Sequence, residues 1–547
     1  LTKVALALRH EFIPASLNFS EPNSRFDIAK TPFFVMDQSR PWARGPEPRR
    51  AAVNSLGVGG TNAHAIVEEA PVVATLSTDA GWQLLTLSAR SIESLAALKE
   101  KWREFLRTPP SGFRLDDAAF TLQVGRKLFD HRFAVIARDV AGLREALQVK
   151  NSPRSVTGLT SAANAGVVMM FPGGGAHYPG AGRELLSQPG FRATVDECFS
   201  LISPDAPKDL RAVMFESEAT DALAAGKLEK PGYAIPALFI LEYALAKLWE
   251  SWGIKPVAVI GHSAGEYAAA CLSGVMSVAD ALSIVVLRGQ LFEMAPSGGM
   301  LSVDLPEAEL RAMMDGLAVD LAAVNAPDLC MASGSLEALS QLEQRLKERG
   351  FESRRLRINV AAHSRLLDSV MGIFRERMSR IRLSAPRIPF ISNLTGTWAD
   401  AQTLTDPEYW TRHLRNPVRF AEGFAQLADL PDAVLLEAGP GQGLCALAKQ
   451  NSPGAARMIL PSTCKAQDPA GDHALILTSA GALWTRGVSP SLDVMRGGNA
   501  STRRISLPTY AFDHKRHWIE PGLLSQESEE GRQALRTQDR PAITRLP

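Results

Sequence analysis

The chain has 547 residues, 46% of them hydrophobic, which is enough for two to four domains with filled cores. Its 59 basic and 58 acidic residues nearly cancel, so net charge makes no case for binding nucleic acid or an anionic membrane. No apolar run reaches the roughly 18–20 residues a membrane helix needs, and Cys198, Cys271, Cys330, Cys445 and Cys464 lack metal-ligand spacing, so they read as small buried hydrophobes of a cytoplasmic protein.

The first 70 residues hold a short apolar stretch, a proline turn and the segment NSLGVGGTNAHAIVEEA, in which Ala63, Ala65 and Val67 alternate as in a strand after a glycine turn. Residues 71–165 carry strand patterns at Gln83–Leu87 and Phe133–Ala137 and helix patterns at Ser91–Leu106 and Ala141–Val149, a small α/β module. From residue 166 a larger unit begins. Val167–Phe171 and Pro256–Ile260 are apolar strands, each followed by glycines and then a helical pattern, as in a parallel, doubly wound sheet. Within it, residues 298–358 read strand (Met300–Val303), helix (Pro306–Asp315), strand (Leu321–Val324) and helix (Leu336–Arg349), which suits a ferredoxin-like insertion. The parent pattern resumes at Ile388–Ser392 and Ala433–Glu437. Residues 466–520 are mixed and proline-punctuated, and 521–547 are charged and poor in aromatics, a composition that predicts disorder.

The segment GHSAGE places Ser263 in a G-x-S-x-G turn between the strand Pro256–Ile260 and an alanine-rich helix. Gly261 and Gly265 permit a sharp turn that pushes the hydroxyl outward, and the N–H of Ala264 opens the following helix where an oxyanion would form. A serine in an ordinary strand-to-helix turn is the alternative. A nucleophilic serine needs a base. His363, in INVAAHSRLLD, follows a strand-like stretch and is the best candidate, whereas His262 adjoins the serine and is expected to pack or support from behind.

The segments FPGGGAHYPG, GHSAGEYAAACLSG, LRGQLFE, VAAHSRLLD, RNPVRF and EAGPGQG, in this order over about 166–465, resemble the acyltransferase domain of modular polyketide synthases and the malonyl transacylases of fatty-acid synthesis. The resemblance implies an α/β-hydrolase-like large subdomain with an inserted ferredoxin-like small one, with Ser263 and His363 as the catalytic pair. The flanks are similar too. Residues 1–70 resemble the C-terminal end of a ketosynthase, whose GGTNAH motif falls on Gly59–His64; 71–165 resemble the ketosynthase–acyltransferase linker domain; Leu507–Trp518 resemble the post-acyltransferase linker. Residues 1–70 lack the cysteine and second histidine of a condensing enzyme, so His64 is expected to have no catalytic role.

Arg288 follows four apolar residues in IVVLRGQLF and is costly to bury unpaired. It either pairs locally, for instance with Glu293, or clamps a free carboxylate with its planar fork. The resemblance implies the latter, on the distal carboxylate of malonyl-type units. The resemblance also places an oxyanion-hole N–H at Gly174, where the family usually has glutamine, and the carbonyl that orients the histidine at His413, with Asn393 a second polar candidate. The specificity quartet falls on Val360, Ala361, Ala362 and His363, matching neither the HAFH of malonyl enzymes nor the YASH of methylmalonyl enzymes. Ala264 follows the nucleophile where methylmalonyl enzymes often carry glutamine, so malonyl is favoured, although the small Ala362 leaves room for an α-methyl group, and methylmalonyl or a rarer α-substituted malonyl unit is the alternative. The implied donor is acyl-CoA, malonyl-CoA first. The implied acceptor is the phosphopantetheine thiol of an acyl carrier protein, within the remainder of a polyketide synthase, with no bound cofactor or metal. A hydrolase that releases the acyl group to water is the competing reading. With nearly all of the ketosynthase absent from the sequence, a monomer is expected.

Overall fold

The computed structural model describes residues 1–518 except 26, 72–80, 161–164, 176, 219, 357, 455–456, 467 and 497–501; the tail expected to be disordered lies outside the described residues. Residues 1–77 and 78–547 form two compact units. In the first, the helix Thr2–His10 precedes a short antiparallel pair, β1 (Phe12–Ile13) and β2 (Arg40–Pro41), and a hairpin of β3 (Arg50–Leu56) and β4 (Asn62–Glu68). Gly60, at φ 85°, supplies the left-handed turn between the hairpin strands. The alternating run around Ala63 is thus β4, and His64 lies on it opposite Asn54.

The second unit opens with an antiparallel sheet of β5 (Gln83–Ala89), β6 (His131–Ala137) and β7 (Ser155–Leu159). Alternate residues face opposite ways, as the two-residue period of a strand requires. Leu85, Leu87, Phe133 and Val135 pack into one core with the helices Ile92–Phe105, Leu115–Val124 and Val140–Gln148, while Leu84, Ala134 and Ile136 join another core with the helix Asp472–Thr485. The helix Leu115–Val124 escapes sequence patterning because it buries two acids. Asp116 pairs with Arg114, and Asp117 receives the backbone N–H of Arg503 at 2.8 Å. That last bond, with Ile505 N–H to Thr121 Oγ1 (2.9 Å) and Arg90 N–H to the Tyr510 hydroxyl (3.0 Å), lays the described part of the C-terminal linker across this module.

β8 (Val167–Phe171) and β9 (Pro256–Gly261) start a parallel sheet. The chain then leaves it for β10 (Gly299–Val303), the helix Glu307–Met314, β11 (Val319–Ala326), β12 (Leu329–Gly334), the helix Leu336–Glu348 and β13 (Ser353–Arg355). It returns for β14 (Phe390–Ile391), adds β15 (Val418–Arg419) to the inserted sheet, and finishes with β16 (Val434–Glu437) and β17 (Ile459–Pro461). The parallel sheet runs β14-β9-β8-β16-β17, and the inserted one β13-β10-β12-β11-β15. The first four strands of the insertion make the βαββαβ ferredoxin-like arrangement. Sequence patterning finds β10 and β11 but misses β12, whose LCMASG has too little alternation to show, and the three-residue β13.

The parallel strands are buried on both faces. Val168 and Met170 of β8 point into one core, and Val167, Met169 and Phe171 into another, which is why the run reads as continuously apolar. The order of strands reverses about β8, and a sheet of this kind binds ligands outside the carboxyl ends of its strands near such a switch. Those ends carry the loop from Pro172 to Gly175 after β8 and Ser263 after β9. All five cysteines are free and buried. Among the described residues, no helix is long and apolar enough to cross a membrane, and no group of three or more His, Cys, Asp or Glu is placed to hold a metal ion.

Candidate active site

Ser263 sits in a left-handed backbone conformation, φ 49°, between β9 and the helix Gly265–Ser273. For a non-glycine residue this is strained. The flanking glycines explain how the turn closes. A Cβ on Gly261 would lie 2.5 Å from the backbone of Glu266, and one on Gly265 would lie 2.2 Å from the carbonyl of Phe171. Asn393, just beyond β14, holds the turn from the other side. Its Oδ1 accepts the Ser263 N–H at 2.6 Å, and its Nδ2 donates to the Gly261 carbonyl at 2.6 Å. The Asn393 N–H in turn donates to Glu266 Oε1 (2.7 Å). Replacing Asn393 with alanine should leave buried groups unpaired, lowering unfolding free energy by about 1–3 kcal/mol. Acylation should slow about ten- to a hundredfold as the elbow relaxes, and thermal melts beside single-turnover rates would check both effects.

His363 lies 100 residues from Ser263 in sequence, yet its Nε2 is 2.7 Å from Ser263 Oγ. It is 2% exposed and also left-handed, φ 56°. Its Nδ1 is 2.8 Å from the carbonyl oxygen of Asn416. A carbonyl only accepts, so Nδ1 carries the proton and Nε2 presents its lone pair to the serine hydroxyl. Burial, the nearby Arg288 charge and His413 hold the His363 pKa well below the ordinary 6.5, which keeps the ring neutral.

The orienting carbonyl therefore belongs to Asn416 and not to His413, which corrects the sequence expectation. His413 lies within the helix Pro407–Arg415, whereas Asn416 ends that helix before β15, and it is the Asn416 carbonyl that accepts from His363 Nδ1. His413 instead points at the buried Glu266, with Nε2 2.8 Å from Oε2. Tyr409, one turn earlier, places its hydroxyl 3.0 Å from Glu266 Oε1 and 2.8 Å from Ser392 Oγ. Glu266, Tyr409 and Asn416 went unread in the sequence. A carboxylate in the first turn of the otherwise apolar GEYAAACLS helix was the one available signal.

Arg288, on the helix Val278–Met294, is 1% exposed, with its guanidinium over the rings of Phe292 (5.1 Å) and Tyr267 (5.4 Å). Nη2 donates to Ser263 Oγ at 2.9 Å, while Nε and Nη1 meet no acceptor among the described residues. The local acid expected as its alternative partner is engaged elsewhere, since Glu293 Oε1 accepts the Gly232 N–H at 2.9 Å. His262 donates through Nε2 to Asn325 Oδ1 at 2.8 Å, and burial lowers its pKa.

Ser263, His363 and Arg288 share a cavity of about 390 Å³ with Gly174, His262, Ala264, Val360 and Ala362. The N–H groups of Ala264 and Gly174 are not taken by any acceptor among the described residues. In the glycine loop, Gly173 abuts His262 and Gly175 is left-handed at φ 103°, but a Cβ on Gly174 would meet nothing within 4 Å. Glycine at 174 is thus not imposed by the fold. Of the quartet, Ala361 does not line the cavity as expected; it packs beneath Gly298, where an added Cβ would come within 2.7 Å of its own.

Residues 168–468 match the family Acyl transferase domain, and residues 83–147 match CurL-like, PKS C-terminal. The chain is 35% identical over 542 residues to a polypeptide of the phenolphthiocerol/phthiocerol polyketide synthase of Mycobacterium tuberculosis, aligning 95% of this chain with 35% of that protein. It is 33% identical over 553 residues to the spectinabilin polyketide synthase system protein NorB of Streptomyces orinoci, aligning 98% of this chain with 25% of that one. The chain thus spans about a third or less of these relatives. Among solved structures, the acyl transferase domain of ZmaA superposes with a TM-score of 0.73 at 34% identity, covering 80% of this chain and all of that one. The acyl transferase domain of SpnD in complex with 2-(pent-4-yn-1-yl)malonyl superposes at 0.68 and 34% identity, covering 76% of this chain and 98% of that one. The chain belongs to the acyl transferase domain family, in the form carried by type I polyketide synthases.

Proposed function

We propose that this chain moves a malonyl-type acyl group from coenzyme A to the phosphopantetheine thiol of a carrier protein through an ester on Ser263. The observation that carries the reading is the joint placement of a neutral His363 and a buried, carboxylate-free Arg288 on one serine hydroxyl. His363 Nε2 takes the Ser263 proton as Oγ bonds to the thioester carbon. The carbonyl oxygen gains the electron pair and is held by the N–H groups of Ala264 and Gly174. Collapse of that intermediate expels the thiolate of coenzyme A, which leaves as the thiol with the proton from His363. The carrier thiol then repeats the sequence in reverse, giving the proton to His363 and regenerating the serine. Arg288 orients the unit by its distal carboxylate through a charge-assisted fork. Malonyl has the minimum of groups this requires, a thioester for Ser263 and a carboxylate for Arg288, and the sequence favours it.

Radiolabelled malonyl-CoA should leave label on the protein in a denaturing gel and lose it on addition of carrier protein. Loss to water at the same rate without carrier protein would establish a hydrolase instead. The pH dependence follows from His363. Its folded pKa is depressed, so the neutral, active base is present above that value and disappears below it. The rate of Ser263 acylation should stay flat from pH 8 down to the ordinary imidazole value of 6.5 and fall only at more acid pH. A single-turnover profile with its midpoint at or above 6.5 would contradict a neutral, buried base.

A further inference from the structure

Glu266 is wholly buried, in the first turn of the helix Gly265–Ser273 and three residues after the nucleophile. The proposed chemistry gives it no part, yet a carboxylate so placed is costly unless its oxygens meet donors. Those donors come from two segments far from it in the chain. The first is the turn after β14, where the Asn393 N–H donates to Oε1 at 2.7 Å. The second is the helix Pro407–Arg415. Its Tyr409 hydroxyl donates to the same Oε1 at 3.0 Å, and its His413, one turn on, brings Nε2 to 2.8 Å from Oε2. Tyr409, His413 and Asn393 are all buried, so water does not compete for these contacts.

Each segment holds one member of the reacting pair. The Asn393 side chain fixes the Ser263 turn, through the Ser263 N–H and the Gly261 carbonyl. The helix Pro407–Arg415 ends at Asn416, whose N–H and Nδ2 both donate to the Arg412 carbonyl at 2.9 Å and whose own carbonyl receives His363 Nδ1. We propose that Glu266 is a positioning residue that sets the distance between nucleophile and base, by tying the turn at Asn393 to the helix that carries the Asn416 carbonyl. It acts on His363 at one remove, since the imidazole meets a carbonyl and the carboxylate braces the helix that presents it. A backbone bond from the Arg419 N–H to the Asn393 carbonyl, at 2.7 Å, also joins the turn to the stretch just after Asn416. Loss of the carboxylate should therefore loosen this frame without unfolding it. The inference rests on the roles given above to Ser263 and His363.

The test compares Glu266→Gln, Glu266→Ala and Tyr409→Phe with the wild type in the whole chain. Two rates are read: labelling of Ser263 by a fluorophosphonate probe, and single-turnover acylation at rising malonyl-CoA concentration. The probe has no carboxylate, so it reports the serine–histidine pair without Arg288. Glutamine keeps an Oε1 acceptor for Asn393 and Tyr409 and should hold both rates within about fivefold of wild type. Alanine should lower the labelling rate and the saturating acylation rate by about thirty- to a hundredfold, because a small misplacement of reacting atoms is costly. The half-saturating malonyl-CoA concentration should stay within about threefold, since the donor's own contacts are untouched. Tyr409→Phe, which removes one tie, should cost about fivefold in the same two rates. An alanine variant that melts as a folded protein and keeps both rates within about threefold overturns the proposal. So does a glutamine variant as slow as alanine, because charge and not the tie would then matter. If the alanine variant does not fold, unchanged rates in Tyr409→Phe overturn it instead. A wild type that neither reagent labels at Ser263 removes the Ser263 reading itself, whereas a labelled wild type with unaffected variants removes this inference alone.

Discussion

With Ser263→Ala, the acyl adduct formed from malonyl-CoA should vanish, with a loss of roughly 10³-fold or more in acylation rate. The hydroxyl is placed both to donate its proton to the lone pair of His363 Nε2, at 2.7 Å, and to accept an N–H of Arg288, at 2.9 Å. Its removal deletes the bond-forming atom and not merely a contact. The fold should persist, because the elbow is held by the Ser263 backbone N–H on Asn393 and by the glycine contacts, none of which uses the side chain. Peptide mapping of the wild type should find one adduct, on Ser263. An adduct on any of the buried cysteines, or one that survives the substitution, would refute the assignment.

Arg288→Ala should separate two classes of substrate. Removing one partner of a buried, hydrogen-bonded charge pair costs about 2–5 kcal/mol, so kcat/KM for malonyl-CoA should fall by roughly 30- to 4,000-fold. Acetyl-CoA has no carboxylate and should lose much less. Some loss is expected even there, because Arg288 also donates to Ser263 Oγ and its charge helps depress the His363 pKa. The informative quantity is therefore the malonyl-to-acetyl ratio, with the acid limb of the pH profile moving to higher pH as a second readout. Equal losses for both thioesters, each measured by single-turnover acylation, would make Arg288 a structural residue.

Much of this site was legible because its chemistry needs particular residue types in particular local frames. The G-x-S-x-G run after an apolar strand marks Ser263, since those glycines are the residues that allow Glu266 and Phe171 to approach so closely. Arg288 stands out as a charge inside an apolar helix, and His363 as a histidine between a strand-like run and a helical one. The βα alternation likewise follows from periodicity. Strands with polar, small or few residues, such as β7, β12 and β13, were lost, and so was the helix Leu115–Val124, whose buried acids break its apolar face.

The sequence by itself determined the fold class, the nucleophile's turn and the candidates for base and clamp, because local backbone demands and burial leave signatures in residue type. Only the tertiary structure decided which carbonyl orients His363. Every residue carries a carbonyl, and its direction depends on where a helix stops, here at Asn416 and not three residues earlier at His413. It likewise decided that Ala361 turns away from the cavity while Val360 and Ala362 face it. Such placements come from packing between segments far apart in the chain, whose relative orientation no local pattern encodes.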